Sequence, residues 1–110
     1  MKQGDVYLVN LDPVVRTEIG KTRPGMILSI NAMNQNSPRV IVAPISSKIT
    51  KVYPFEIFVP GGMAGLKKDS KIMLDQLRSI DKKRLVKRIG TLTDEIRLSA
   101  CAVGQDLISA

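Results

Sequence analysis

Three polar segments interrupt an otherwise apolar chain, and each carries side chains able to grip a phosphate. The first runs Glu18-Ile19-Gly20-Lys21-Thr22-Arg23-Pro24-Gly25, caught between the apolar runs Val6–Val9 and Met26–Ile30. Gly20 can take a positive φ and turn the chain. Pro24 fixes its own φ, lacks a backbone donor and pushes Arg23 into an extended conformation. An arginine held this way, five residues after a carboxylate, suits an anionic group. The plainer alternative is a solvated turn in which Arg23 merely pairs with Glu18. The second segment is Ser46-Ser47-Lys48, directly after an apolar run that ends at Ile45. The third is Asp75-Gln76-Leu77-Arg78-Ser79. Hydroxyls, an amide and arginines gathered from such strand ends make a phosphate site that needs neither metal nor histidine. Taken alone, a serine pair after a strand is more often a turn.

Composition narrows the chemistry further. The 110 residues contain no histidine and one cysteine, Cys101. The commonest general base near neutral pH and the commonest metal ligand are therefore missing. A catalytic zinc site is not expected, and an intramolecular disulfide is impossible. No phosphate-loop or GxGxxG pattern is present, so no cofactor is expected. A formal charge of +7 and a pI near 9.9 point to a polyanionic partner. Nine of the 17 lysines and arginines fall between Lys67 and Arg88, against Asp69, Asp75 and Asp81. Such a run is either a solvated face or one wall of a nucleic-acid groove. No apolar stretch approaches the roughly 20 residues that span a bilayer, and the N-terminus lacks a signal peptide's apolar segment. The chain reads as a soluble cytoplasmic protein with no membrane partner.

The elements that must position these residues are mostly short strands. Val6–Val9, Val40–Ile45 and Phe55–Val59 are apolar, β-prone runs bounded by turn formers. Met26–Ile30 is a fourth run, with residues 11–25 as a long loop before it. Pro44 predicts that its strand ends at an edge or a bulge. Asn31–Pro38 is rich in turn formers and has room for one helical turn. Lys71–Leu74 predicts a strand continuing toward Ile80, and Asp81–Leu85 a tight turn leading to Leu85–Ile89. Only the end is helical. Thr93 can cap it, Asp94 and Glu95 suit its first turn, and Ile96, Ala100, Val103 and Leu107 share one face. Gly104 weakens that helix slightly. The order predicts one α+β domain over residues 1–110, mainly β: a small, strongly bent antiparallel sheet or barrel under a C-terminal helix.

Read together, the blocks resemble MazF/PemK toxins. Gly4-Asp5-Val6-Tyr7 with Leu11-Asp12-Pro13, then Glu18 and Gly20-Lys21-Thr22-Arg23-Pro24, is similar to that family's N-terminal signature. Val42-Ala43-Pro44-Ile45-Ser46-Ser47 and Leu74-Asp75-Gln76-Leu77-Arg78-Ser79-Ile80-Asp81 match its second and third blocks in order and spacing. The resemblance implies a homodimeric SH3-like or CcdB-like barrel that cuts single-stranded RNA without metal, as the toxin partner of an antitoxin. It implies Arg23 as the catalytic arginine and Ser46 as the hydroxyl that follows the third strand, where threonine is usual. Some relatives assign acid–base roles to a histidine and a second arginine; those positions hold Thr17 and Met73 here, while Asp75 is retained. Glu18 or Asp75 is then the candidate base, and Thr22, Ser47, Lys48, Gln76 and Arg78 are candidate RNA contacts. Two rivals share the fold: a CcdB-like gyrase poison acting through the C-terminal helix, and a barrel that binds nucleic acid without cutting it.

Overall fold

Residues 1–15 and 17–109 are described by the computed structural model, in which short antiparallel strands dominate. The strands are β1 (Asp5–Asn10), β2 (Thr22–Ile27), β3 (Arg39–Ser46), β4 (Glu56–Val59), β5 (Ser70–Met73), β6 (Arg78–Asp81) and β7 (Leu85–Thr91). Helix α1 covers Asn31–Asn36 and α2 covers Asp94–Ile108. Single 3-10 turns at Leu74–Gln76 and Lys82–Arg84 flank β6. The class is the expected one, a mainly antiparallel β fold with a C-terminal helix.

The sheet runs β4-β5-β3-β2-β1-β7, with β6 beside the first half of β3. Strand β3 is the axis of this arrangement. One flank pairs with β2, while the other pairs with β6 as far as Val42 and with β5 from Ile45. Pro44 falls in that gap, opposite Gly25. The proline therefore marks no edge of the sheet. It sits in an interior strand, at the point where one flank changes partner and a missing N–H is tolerated.

The central strands are continuous apolar runs because both of their faces are covered. Met26, Ala43 and Ile45 join Val6, Ile72, Leu74 and Ala100 in one core cluster beneath α2. Ile27, Val40 and Val42 point the other way and join Val9, Leu11 and Ile80 in a second. Helix α2 starts where its sequence predicts. Thr93 Oγ1 accepts the Ile96 N–H at 3.4 Å, and Asp94 and Glu95 occupy the first turn. Ala100 and Gly104 are buried, and Ile96 and Val103 pack at the margin of the core. Leu107 departs from the predicted face, at 43% exposure.

Two boundaries differ from the pattern of apolar residues. Strand β2 begins at Thr22 and ends at Ile27, so Arg23 and Pro24 lie in a strand and not in the loop. Pairing with β1 draws them in: Arg23 faces Val9 and Pro24 faces Leu8, while β3 joins only from Gly25. The Lys71–Ile80 run is broken by the Leu74–Gln76 turn, which sends β6 to the other half of β3.

The expected barrel is not closed by hydrogen bonds, since β4 and β7 form the two ends of the sheet. The sheet nevertheless curls far enough for the turn after β4 to touch β7. Gly65, at φ +78°, lies against Ile89, and Gly90 against Ala64, so closely that a Cβ on either would overlap backbone atoms. Backbone cannot move aside as a side-chain tip can. Gly90→Ala is expected to cost about 1–3 kcal/mol. A denaturant midpoint equal to wild type, at unchanged slope, would refute that close approach.

Candidate phosphate-binding site

Arg23 reaches its site from β2 with its side chain already fixed. Its Nε donates to the Gly20 carbonyl at 2.7 Å. Among the described residues, its terminal nitrogens have no hydrogen-bond partner within the chain. Glu18 does not pair with it. The Glu18 carboxylate instead accepts the Val15 N–H at 2.8 Å and lies 3.8 Å from Arg78. The solvated-turn reading, in which Arg23 merely neutralises Glu18, is thereby set aside.

Ser46 closes β3 and is buried at 7% exposure. Its Oγ accepts the Lys48 N–H at 3.2 Å, so the serine pair does form a local turn. That bond occupies a lone pair and leaves the hydroxyl proton free to be donated. Arg23, Ser46, Ser47, Lys48 and Ser70 line one hollow of about 150 Å³, backed by Pro24 and Ile45. Two cations and three hydroxyls thus share a space whose lining contains no carboxylate. That donor set is suited to an anion.

Glu18 and Asp75 meet elsewhere. With Thr17, Gln76 and Arg78 they line a second hollow of about 240 Å³. The loop from β1 to β2 supplies Thr17 and Glu18 to this second hollow, and its Gly20 carbonyl holds Arg23 of the first. Gln76 Oε1 accepts the Ile19 N–H at 2.8 Å, and Arg78 donates to the carbonyls of Ile19 (2.9 Å) and Leu11 (3.2 Å). Lys21, and not Gly20, takes the left-handed conformation in this loop, at φ 65°. Gly20 is small for a different reason: a Cβ there would come within 2.5 Å of Asp12 Oδ1, which accepts the Lys21 N–H. Thr22 is exposed at the start of β2.

These features lie within a stretch that a known family matches. The family model for PemK-like, MazF-like toxins of type II toxin–antitoxin systems matches residues 2–102. The chain belongs to that family. Endoribonuclease EndoA of Bacillus subtilis (strain 168) is 40% identical over 97 residues, covering 87% of this chain and 84% of that protein. MazF from Deinococcus radiodurans superposes with a TM-score of 0.86 at 23% identity, covering 98% of this chain and 96% of that one. A MazE–MazF structure from the same organism gives a TM-score of 0.78 at 22% identity, covering 99% and 95%. The two structural likenesses establish the shared fold.

In this family member, the basic run between Lys67 and Arg88 is not one uniform wall. Lys71 pairs with buried Glu56 at 3.0 Å, Arg78 holds the loop, and Lys82 Nζ donates to the Asn34 carbonyl. Arg84 donates to the Asp12 carbonyl. Lys67, Lys68, Lys83, Lys87 and Arg88 remain exposed. Ser70 and Lys71 come beside Ser46 with no local sequence signal to announce them. Only the pairing of β5 with β3, Lys71 opposite Ser46, places them there. Burial pushes the Cys101 thiol up, with Arg97 opposing, which disfavours a nucleophilic thiolate near neutral pH. Among the described residues, no helix is long and apolar enough to cross a membrane.

Proposed function

We propose that this chain is a metal-independent endoribonuclease that cuts single-stranded RNA, the toxin half of a toxin–antitoxin pair. The observation that carries the reading is the hollow of Arg23, Lys48 and three serines with no carboxylate in its lining. It is supported by the family membership and by the endoribonuclease relative.

In this reading the scissile phosphate sits against Arg23 and Ser46. The ribose 2′-oxygen attacks the adjacent phosphorus, its bond to phosphorus forms, and the bond to the 5′-oxygen breaks. The upstream fragment then ends in a 2′,3′-cyclic phosphate and the downstream one in a 5′-hydroxyl. Arg23 stabilises the charge growing on the phosphoryl oxygens, since a guanidinium does not readily release a proton. Ser46 donates its hydroxyl proton to a non-bridging oxygen. Glu18 or Asp75, from their separate hollow, accepts the 2′-hydroxyl proton through an intervening water, and the leaving oxygen takes one from water. Thr22, Ser47 and Lys48 contact the RNA beside the phosphate. Gln76 still offers its amide NH₂ to the strand, and Arg78 adds charge while holding the loop.

Two copies of the chain form the working unit, and an acidic antitoxin segment covers the basic surface in the inactive state. A disordered acidic peptide would exclude RNA by charge and volume together, and added salt would weaken it. The site itself is tested by digesting a long single-stranded RNA with the wild type and two Ser46 variants. Wild type should yield discrete fragments. Ser46→Thr keeps the hydroxyl and should match or exceed it, whereas Ser46→Ala should lose roughly tenfold or more in rate. Intact RNA would sink the endoribonuclease reading, and equal rates for all three proteins would remove Ser46 from the site.

A further inference from the structure

The chain has only four aromatic residues, and they are not spent mainly on its core. Tyr7 packs partly buried at the second core cluster. The other three lie within six residues, and Tyr53 and Phe58 are 43% and 45% exposed. Tyr53 stacks on Phe55, with ring centroids 5.2 Å apart and planes inclined by 8°. Lys51 Nζ lies 4.8 Å from the Tyr53 ring centre and Lys71 Nζ 5.9 Å.

This stack is built onto rigid structure. Glu56 Oε1 accepts the Tyr53 N–H at 3.0 Å, and the Glu56 N–H donates to the Tyr53 carbonyl at 2.9 Å. Lys71 then clamps Glu56 from β5, 3.0 Å from Oε2, and donates to the Lys51 carbonyl at 3.2 Å. Both charged side chains are close to buried, at 12% and 5% exposure. The same lysine ties the stack to the candidate site. Lys71 is the cross-strand partner of Ser46 on one side and of Phe58 on the other. Directly paired residues project from the same face of a sheet, so Ser46, Lys71 and Phe58 form a row about 10 Å long across three strands.

We propose that the Tyr53–Phe55 stack is a nucleobase-binding platform that seats a base of the single-stranded RNA beside the scissile phosphate. The inference rests on the endoribonuclease reading and adds to it a determinant of substrate affinity and sequence preference. Stacking on an aromatic ring is open to every base, while Lys51 and Lys71, which lie over the Tyr53 ring, supply positive charge for the neighbouring backbone. A base stacked on Tyr53 outweighs the solvent-exposed Lys51 contact with the same ring, so it can displace that ammonium toward a phosphate.

The test compares wild type, Tyr53→Leu and Tyr53→Phe. Leucine keeps bulk and hydrophobicity but has no π-face, whereas phenylalanine keeps the face and loses only the hydroxyl. On a long single-stranded RNA, Tyr53→Leu should raise KM about tenfold with little change in kcat, and should alter the preference at one base near the cut. Tyr53→Phe should restore most of the affinity. The same proteins are titrated against fluorescein-labelled 2′-O-methyl RNA, which reads binding even if no cleavage occurs. Failure of wild type to cut would overturn the endoribonuclease reading, while the binding titration would still decide the platform. A folded Tyr53→Leu protein with wild-type KM, wild-type Kd and an unchanged cutting pattern would overturn the platform. So would a loss confined to kcat and melting temperature, since that is the mark of a loop anchor.

Discussion

Arg23→Ala is expected to lower the rate of RNA cleavage by about 10²–10³ without unfolding the protein. The loss should be large because the side chain is held before any substrate arrives. Its Nε is committed to the Gly20 carbonyl and β2 fixes its backbone, so the remaining guanidinium nitrogens need no reorganisation to meet a phosphoryl oxygen. The cost to folding should be small for a complementary reason. The alanine variant gives up one hydrogen bond from a partly buried side chain, worth about 1 kcal/mol. Arg23→Lys should fall between the two proteins, since an ammonium keeps the charge but cannot hold Gly20 and present a planar fork together. Single-turnover cleavage of a defined RNA, beside a denaturation curve for each variant, separates the two effects. A folded Arg23→Ala protein that cuts at the wild-type rate would take Arg23 out of the reaction.

Removing the 2′-hydroxyl from the nucleotide 5′ of the scissile bond should abolish cleavage, and excess EDTA should leave it unaffected. The chain offers no histidine and one cysteine, so the usual ligands for a catalytic transition metal are missing from its sequence. A two-metal site would need acidic side chains holding ions roughly 3.5–4 Å apart. Glu18 and Asp75 share a hollow, but Arg78 lines it too and already lies beside Glu18. The nucleophile is then best supplied by the RNA itself, adjacent to phosphorus, so that catalysis reduces to positioning and charge stabilisation. The upstream product should carry a 2′,3′-cyclic phosphate or its hydrolysis product, readable by mass spectrometry. Cutting of the deoxy substrate, or strict dependence on added magnesium, would overturn this chemistry even for a protein that is a toxin.

The local determinants of the fold are written in short stretches of sequence. Thr93, Asp94 and Glu95 specify the start of α2 because capping and the helix dipole act within one turn. Val6–Val9, Val40–Ile45 and Phe55–Val59 declare themselves strands because β-branched and aromatic residues fit a pleated, covered surface. The ordered blocks around Arg23, Ser46 and Asp75 likewise suffice to indicate the family. Partnership between distant segments is a different matter, because strand pairing is not encoded in either strand alone. It draws Arg23 and Pro24 out of a loop and into β2, and it sets Ser70 and Lys71 beside Ser46. It also separates Glu18 and Asp75 from the hollow of Arg23 and Ser46, although all four look alike as polar residues at strand ends. Gln76 and Arg78 show the same limit. Their side chains hold the Leu11–Ile19 loop, across 57 residues in the case of Gln76 and Ile19. Gly20 and Lys21 divide a turn in a way that their types would reverse, because close packing against Asp12 decides which residue must be small. Residue types thus determined which chemistry this chain can perform, and only the curl of the sheet around β3 decided which of those residues stand together.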